Sequence, residues 1–341
     1  MRAQETVYLG IDCGATTSKV AGVDAAGRPL ANRLRQAPTR SSEGAAAIIE
    51  GWMEGVCGFM AEHGLRWEQV GGVGLAIPGP YRGYGVLGPM PNMPKALDGW
   101  RFLDELSAAV EQAAGRTVRV VTANDGLLAG VAEARLLQRD RRGSVLMLAP
   151  GSGLGCSFVD AEGRLLHGDH QAAVILCHMP APCERLGLPA YPCGCGRDWG
   201  CFEAYTTIAG LPHLLEHLLP RYPEHELARS AEPVRAKALS LRGRAQAGDA
   251  LALEIFDKQA QALGYAAAAG CMAYDPSHVV IGGGLMDPEA TGAAFRKRYL
   301  DRVQGAAAEY LWVDPAELAW HQARLGELSQ AIGAALLSQS A

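Results

Sequence analysis

Val7-Tyr-Leu-Gly-Ile-Asp12-Cys-Gly14-Ala-Thr16-Thr17 opens the chain as a strand of buried type that runs into a glycine turn. Ser18 to Val23 reads as a returning strand, and Asp24-Ala-Ala-Gly27 as a hairpin signal before an extended stretch over 28–35. The same order of events recurs later. Ser144-Val-Leu-Met-Leu148 is a strand, Gly151-Ser-Gly153-Leu-Gly155 a glycine turn, 156–159 a returning strand, and Asp160-Ala-Glu-Gly163 a second hairpin signal. Two copies of one unit, set among alternating helices and strands, predict a duplicated α/β chain.

Outward from these units, apolar spacing predicts helices over 42–64, 101–114, 126–138, 249–273 and 326–337, and strands over 73–77, 118–122 and 279–281. The last strand ends in Gly282-Gly283-Gly284, which makes three strands that end on glycine-rich turns. Glycine there lets backbone N–H groups approach phosphate oxygens and take the positive φ that gathers them into a nest. Gly14, Gly151, Gly153, Gly283 and Gly284 are the candidate phosphate-binding glycines, with Thr16, Thr17 and Ser152 as hydroxyl donors. Each loop alone is weak evidence, since a glycine turn between strands is more often just a turn. None has the Lys-Ser/Thr of a P-loop, and Gly151-x-Gly153-x-Gly155 lacks dinucleotide spacing. The argument rests on three such loops in order.

A chain of 341 residues, 49% hydrophobic and 20% charged, has room for two domains with ordinary cores. A net charge of −5 gives no basic footprint for nucleic acid. No uninterrupted apolar run reaches the roughly 18 residues of a membrane span, and the N-terminus has no signal-peptide pattern. An odd count of nine cysteines without an export signal predicts a reducing, cytoplasmic setting.

Cys193-Gly-Cys195-Gly-Arg-Asp-Trp-Gly-Cys201, with His178 upstream, makes a Cys3His set suited to structural Zn²⁺. The alternatives are buried apolar cysteines or disulfides. Glu203, two residues after Cys201, is then aimed at substrate by the metal loop; otherwise it is a solvated charge. Asp125 ends an apolar strand and is the candidate general base for phosphoryl transfer to a hydroxyl. Asn124 beside it can hold a neighbouring hydroxyl. The pair also reads as a helix N-cap, and both roles can coexist. Asp12 points towards Mg²⁺-bound phosphates or merely turns the chain. Asn92, in Pro91-Asn92-Met93-Pro94, binds a sugar hydroxyl or serves the loop.

On these residues the chain resembles the ROK family (repressors, open reading frames, kinases) of the sugar kinase, Hsp70 and actin superfamily, nearly end to end. Gly10 to Thr16 is similar to its first phosphate motif, and Gly151 to Gly155 to its second. Val280-Ile-Gly282-Gly-Gly284 is similar to its adenosine motif. Ile77-Pro-Gly79-Pro80 and Pro91-Asn92 resemble its sugar-binding loops, and Asn124-Asp125 the pair with its catalytic aspartate. His178, Cys193, Cys195 and Cys201 resemble its zinc ligands, and Glu203 its sugar-binding glutamate. Two departures stand out. Three residues, Arg197-Asp198-Trp199, fill a gap where the family has two, and the family's E-x-G-H reads Ile175-Leu-Cys177-His178.

The resemblance implies two ribonuclease-H-like (actin-like ATPase) α/β domains around a central cleft. One would be 1–123 plus 326–341, the other 124–325 with the zinc loop. It implies an ATP- and Mg²⁺-dependent kinase acting on a sugar hydroxyl, the 6-hydroxyl of a hexose such as glucose or N-acetylglucosamine, with Asp125 as catalytic base. Gly79, Asn92, Asn124, Asp125, His178 and Glu203 would hold the sugar. Zinc would be structural and the protein a homodimer that binds neither nucleic acid nor membrane. The family's repressors carry a DNA-binding domain ahead of the first motif, where about ten residues stand here. Alternatives are a non-catalytic sugar-binding or sensor protein, or a kinase of a cyclitol or modified hexose, because Ile175 cannot accept a hydroxyl hydrogen bond.

Overall fold

A computed structural model of the chain describes residues 5–89, 94–169 and 172–340. The chain divides into two compact units. One comprises Met1–Arg142, Val159–Ala173 and Glu327–Ala341; the other comprises Gly143–Phe158 and Val174–Gly326.

In the first unit the strands are β1 (Val7–Cys13), β2 (Thr17–Asp24), β3 (Arg35–Pro38), β4 (Val70–Ala76), the small hairpin β5 (Tyr81–Gly83) and β6 (Val86–Leu87), and β7 (Arg119–Ala123). The main sheet has the order β3-β2-β1-β4-β7. Its β1–β2 and β2–β3 pairs are antiparallel, and β1–β4 and β4–β7 are parallel. Leu9, Ile11, Val73 and Leu75 are fully buried beneath Trp52, Val56 and Phe59 of the helix Ala45–Glu62, and Phe102 and Leu106 of the helix Phe102–Ala114 join the same core.

The C-terminal helix Ser329–Ser340 packs on β1, β4 and the helix Asp125–Gln138. It comes so close that a Cβ on Gly10 would lie 1.9 Å from the Ala331 carbonyl oxygen, and one on Gly74 would lie 1.9 Å from that of Ala334. Only glycine permits this backbone approach. The boundary expected near 123 falls inside this unit, because the Asp125–Gln138 helix lies against the C-terminal helix.

The stretch expected to be extended over 28–35 is shorter than the pattern suggests. Pro29 makes only an isolated bridge with Val23, as Leu165 does with Val159 in the second hairpin, and β3 begins at Arg35.

In the second unit the strands are β8 (Val145–Pro150), β9 (Leu154–Val159), β10 (His278–Ile281) and β11 (Ala319–Gln322), in the order β11-β10-β8-β9. β10 runs parallel to β8 and β11. This order repeats β7-β4-β1-β2 of the first sheet. The helix Ala250–Tyr274 buries small side chains against the helix Ala293–Ala308. That second helix, like Leu211–Leu218 and Val234–Gln246, was not part of the sequence expectation. Val234–Gln246 buries only Ala238, Leu241 and Ala245, too sparse a stripe to read from the pattern.

The duplication extends to hydrogen bonds. In the first hairpin, Asp24 Oδ1 accepts the N–H groups of Ala26 and Arg28 at 2.9 Å each, and Oδ2 accepts Arg28 Nε at 2.7 Å. In the second, Asp160 Oδ1 accepts Glu162 N–H at 3.0 Å and Arg164 N–H at 2.8 Å, and Oδ2 accepts Arg164 Nε at 2.7 Å. Gly27 and Gly163 both take the positive φ that closes the turn. No helix among the described residues is long and apolar enough to cross a membrane.

Candidate functional site

In the first unit, β7 ends at Ala123 and the helix Asp125–Gln138 begins at once. Asn124 is the N-cap: its Oδ1 accepts the Gly126 N–H at 3.0 Å. Asp125 Oδ1 accepts the same N–H at 2.8 Å. The capping role is therefore real, and it uses one oxygen of each side chain; the Asn124 amide also hydrogen-bonds the Tyr81 hydroxyl, and Asp125 Oδ2 is left for another partner. Burial raises the Asp125 carboxyl above the ordinary aspartate range, against the pull of the Gly126 N–H. A raised carboxyl with one free oxygen is the setting a general base needs near neutral pH. Gly79 faces this corner: a Cβ there would sit 3.3 Å from the Tyr81 ring and 3.7 Å from Asn124 Nδ2.

Asp12 stands near the end of β1, paired across the sheet with Lys19. Burial, then the Asp125 charge, raises its carboxyl to about 6; Lys19 opposes the shift and Glu327 adds to it. Lys19 is itself held by Glu327 at 3.0 Å. The Gly14 N–H closes its own turn on Thr17 O at 3.1 Å, so Gly14 shapes the loop. Thr39 Oγ1 donates to Gly14 O at 2.7 Å, and Ser41 Oγ donates to Ala15 O at 2.8 Å. Thr16 is exposed and Thr17 partly so. Sequence reasoning missed Lys19, Thr39, Tyr81 and Glu327. Only Lys19 had a signal, its register across the β1–β2 turn.

The Asp12 shift has a testable consequence. A carboxyl whose folded value is raised stabilises the fold fully below its ordinary value of 3.8, and this is lost as pH rises through about 6. Asp12→Asn, which never ionises, should therefore melt above the wild type at pH 8 without nucleotide, with the advantage shrinking towards pH 4. A melting difference that is flat across this range would show that burial does not govern Asp12.

In the second unit, His178, Cys193, Cys195 and Cys201 bring one ligand atom each to within 4.8 Å of one another. Cys195 Sγ and Cys201 Sγ are 3.8 Å apart, and so are Cys193 Sγ and His178 Nδ1. Thiolates held at about 2.3 Å from one tetrahedral ion would be separated by about 3.8 Å, whereas a disulfide needs about 2.05 Å. The donor set fits a four-coordinate soft metal. The loop is closed by Ala181 N–H to Gly200 O at 2.8 Å and Phe202 N–H to Met179 O at 3.0 Å. Arg197 stacks on Trp199 at 4.9 Å, and both reach the cluster: Arg197 Nη1 donates to Cys195 Sγ at 3.8 Å and the Trp199 indole N–H to Cys201 Sγ at 3.0 Å.

Glu203 follows directly and is not a solvated charge: its Oε2 accepts the Leu154 N–H at 3.0 Å. Gly151 N–H closes on Gly153 O at 2.8 Å, and Ser152 is exposed. Gly283 has φ +80, and a Cβ there would meet Pro150 O at 2.0 Å, so glycine is obligatory; Gly284 faces open space. Asn92 lies outside the described residues.

Upstream of His178, Val174 has φ +59, an outlier for a β-branched residue, and is buried. Leu176 N–H donates to Val174 O at 2.9 Å across Ile175, whose φ of −79 and ψ of 57 make an inverse γ-turn. Val174 and Leu176 point into the fold, while Ile175 is thrust out, 44% exposed.

A model described as the ROK family matches residues 8–341. An N-acetyl-D-glucosamine kinase of Escherichia coli O6:H1 is 31% identical over 286 residues, 82% of this chain and 84% of that one. A glucokinase of Halalkalibacterium halodurans is 28% identical over 280 residues, 82% and 80% of the two chains. Among solved structures, a ROK hexokinase from Thermus thermophilus superposes with a TM-score of 0.71 at 27% identity, covering 97% of each chain. A ROK glucokinase from Streptomyces griseus, in complex with glucose and AMPPNP, shares the fold with a TM-score of 0.70 at 23% identity, covering 98% of this chain and 100% of that one.

Proposed function

This chain belongs to the ROK family, and on that premise we infer that it is an ATP-dependent sugar kinase whose general base is Asp125. The observation that carries the reading is the Asp125 carboxyl at the start of its helix, raised by burial, with one oxygen spent on Gly126 N–H. The free oxygen accepts the proton of the sugar hydroxyl as its oxygen attacks the γ-phosphorus and ADP departs. The attacked hydroxyl is the 6-hydroxyl of a hexose, and the Asn124 amide donates to a neighbouring hydroxyl. In the family pattern Gly79, His178 and Glu203 also serve the sugar.

ATP phosphates fall to the glycine turns at Gly14 and Gly151–Gly155, with Thr16, Thr17 and Ser152 as donors, and the adenosine to Gly283–Gly284. Asp12 would serve the Mg²⁺ that accompanies the phosphates, an ion that would supply neutralisation of phosphate charge. Zn²⁺ held by His178, Cys193, Cys195 and Cys201 is structural, since four protein donors leave no open position.

Free glucose should be a poor substrate, with a high KM relative to the best one. The γ-turn presents Ile175 to solvent where the resemblance calls for a carboxylate beside His178, and isoleucine offers no acceptor. A sugar hydroxyl buried there without a partner costs about 1–3 kcal/mol. In a coupled ADP-release screen over hexoses, amino sugars and cyclitols, glucose should rank well below the best substrate. Ile175→Glu should raise kcat/KM for glucose by on the order of tenfold. Glucose as the best wild-type substrate, with no gain in the variant, would remove Ile175 from the specificity argument. Absence of ADP release with every acceptor would remove the kinase reading itself.

A further inference from the structure

We propose that Glu203 is a positioning residue that fastens the glycine loop Gly151–Gly155 to the end of the cysteine loop, and so sets the affinity for the nucleotide as well as the sugar. This rests on the reading of Gly151–Gly155 as a phosphate loop. Three contacts support it, all within the second unit. Glu203 Oε2 accepts the Leu154 N–H at 3.0 Å. The loop backbone comes so close that a Cβ on Gly153 would stand 3.0 Å from the same oxygen. Ile208 N–H, five residues further along the chain, donates to Gly151 O at 2.9 Å.

The segment after Cys201 thus grips the glycine loop at two points, Gly151 and Leu154. The grip is itself anchored. Thr207 Oγ1 donates to Glu203 O at 2.8 Å, and Gln259 Nε2 of the long helix donates to Thr207 O at 3.4 Å. At the other end, Cys193 Sγ lies 3.6 Å from Glu203 Oε1. A carboxylate that only bound sugar would have no need of Leu154. A carboxylate that only propped the loop would have no need of a place two residues from Cys201. Glu203 has both, so disturbing the cysteine cluster should be felt in the loop through an unbroken line of covalent and hydrogen bonds.

The test is calorimetric titration of a non-hydrolysable ATP analogue with Mg²⁺, sugar KM, and hydrogen exchange at the Leu154 amide, in Glu203→Ala, Glu203→Gln and Gly153→Ala. Glu203→Ala should weaken nucleotide binding by on the order of tenfold, the size of one hydrogen bond to a charged acceptor, and speed exchange at Leu154. Glu203→Gln keeps an oxygen that accepts the Leu154 N–H, so nucleotide affinity and protection should return even where sugar KM does not. Gly153→Ala should weaken the nucleotide with Glu203 intact. Unchanged nucleotide affinity in Glu203→Ala, with Gly153→Ala impaired, would overturn the strut and keep the phosphate loop. No change in either would overturn both. If Glu203→Ala does not fold, Glu203→Gln and the Leu154 exchange rate decide: loss of nucleotide affinity in Gln with Leu154 still protected overturns the proposal.

Discussion

Asp125→Asn is expected to lower kcat by on the order of 10²–10⁴, the usual cost of losing general base assistance, with the sugar still bound. The substitution suits the site because asparagine keeps the acceptor used by Gly126 N–H at 2.8 Å and leaves the Asn124 cap intact. What it removes is the capacity to take a proton. Burial raises the Asp125 carboxyl, so ionised aspartate is held there at a cost to the fold. The variant should accordingly melt no lower than the wild type at neutral pH, which separates lost chemistry from lost structure. Single-turnover kinetics beside a sugar-binding isotherm provide the check. Retention of more than about a tenth of kcat, against so large an expected loss, would show that another group accepts the proton.

Cys201→Ser is expected to cost the chain its metal and to lower its melting temperature by about 10 °C, the shift that several kcal/mol produce in a protein of this size. Cys201 is completely buried, receives the Trp199 indole N–H at 3.0 Å and stands 3.8 Å from Cys195. Serine is smaller and a poorer ligand for a soft ion. Backbone hydrogen bonds close the loop at its base (Ala181 N–H to Gly200 O, Phe202 N–H to Met179 O) and at its tip (Cys193 N–H to Arg197 O, Gly196 N–H to Cys193 O), and a metal would add the one link that joins all four side chains. Metal analysis should find one zinc per wild-type chain and none in the variant, and a strong chelator should reproduce the variant's melting curve. A purified wild type free of zinc, or a variant equal to it in stability, would leave the four side chains a cluster without a metal.

Much of the fold was legible because its signals are local. The hairpins at Asp24–Gly27 and Asp160–Gly163 are built from hydrogen bonds spanning four residues or fewer, so the sequence pattern carried the whole structure. The Asn124-Asp125 pair was readable for the same reason, since its cap partner Gly126 is the next residue along. The cysteines were readable because Cys193, Cys195 and Cys201 can reach one ion around two glycine-assisted turns.

By itself, the sequence determined the duplicated strand–turn–strand units, the parallel strands that follow them, the capped helix bearing Asp125 and the cluster of His178 with three cysteines. In each of these, the interacting groups are either near neighbours in the chain or displayed by a regular period. Tertiary structure alone decided that Glu203 grips Leu154, 49 residues away, and that Lys19 is held by Glu327, 308 residues away. It alone decided that Val174 is driven to positive φ and Ile175 turned outward. No local pattern encodes such contacts. They exist only once the packed core has met the entropy of bringing distant segments together, and that packing sets which side chains face each other.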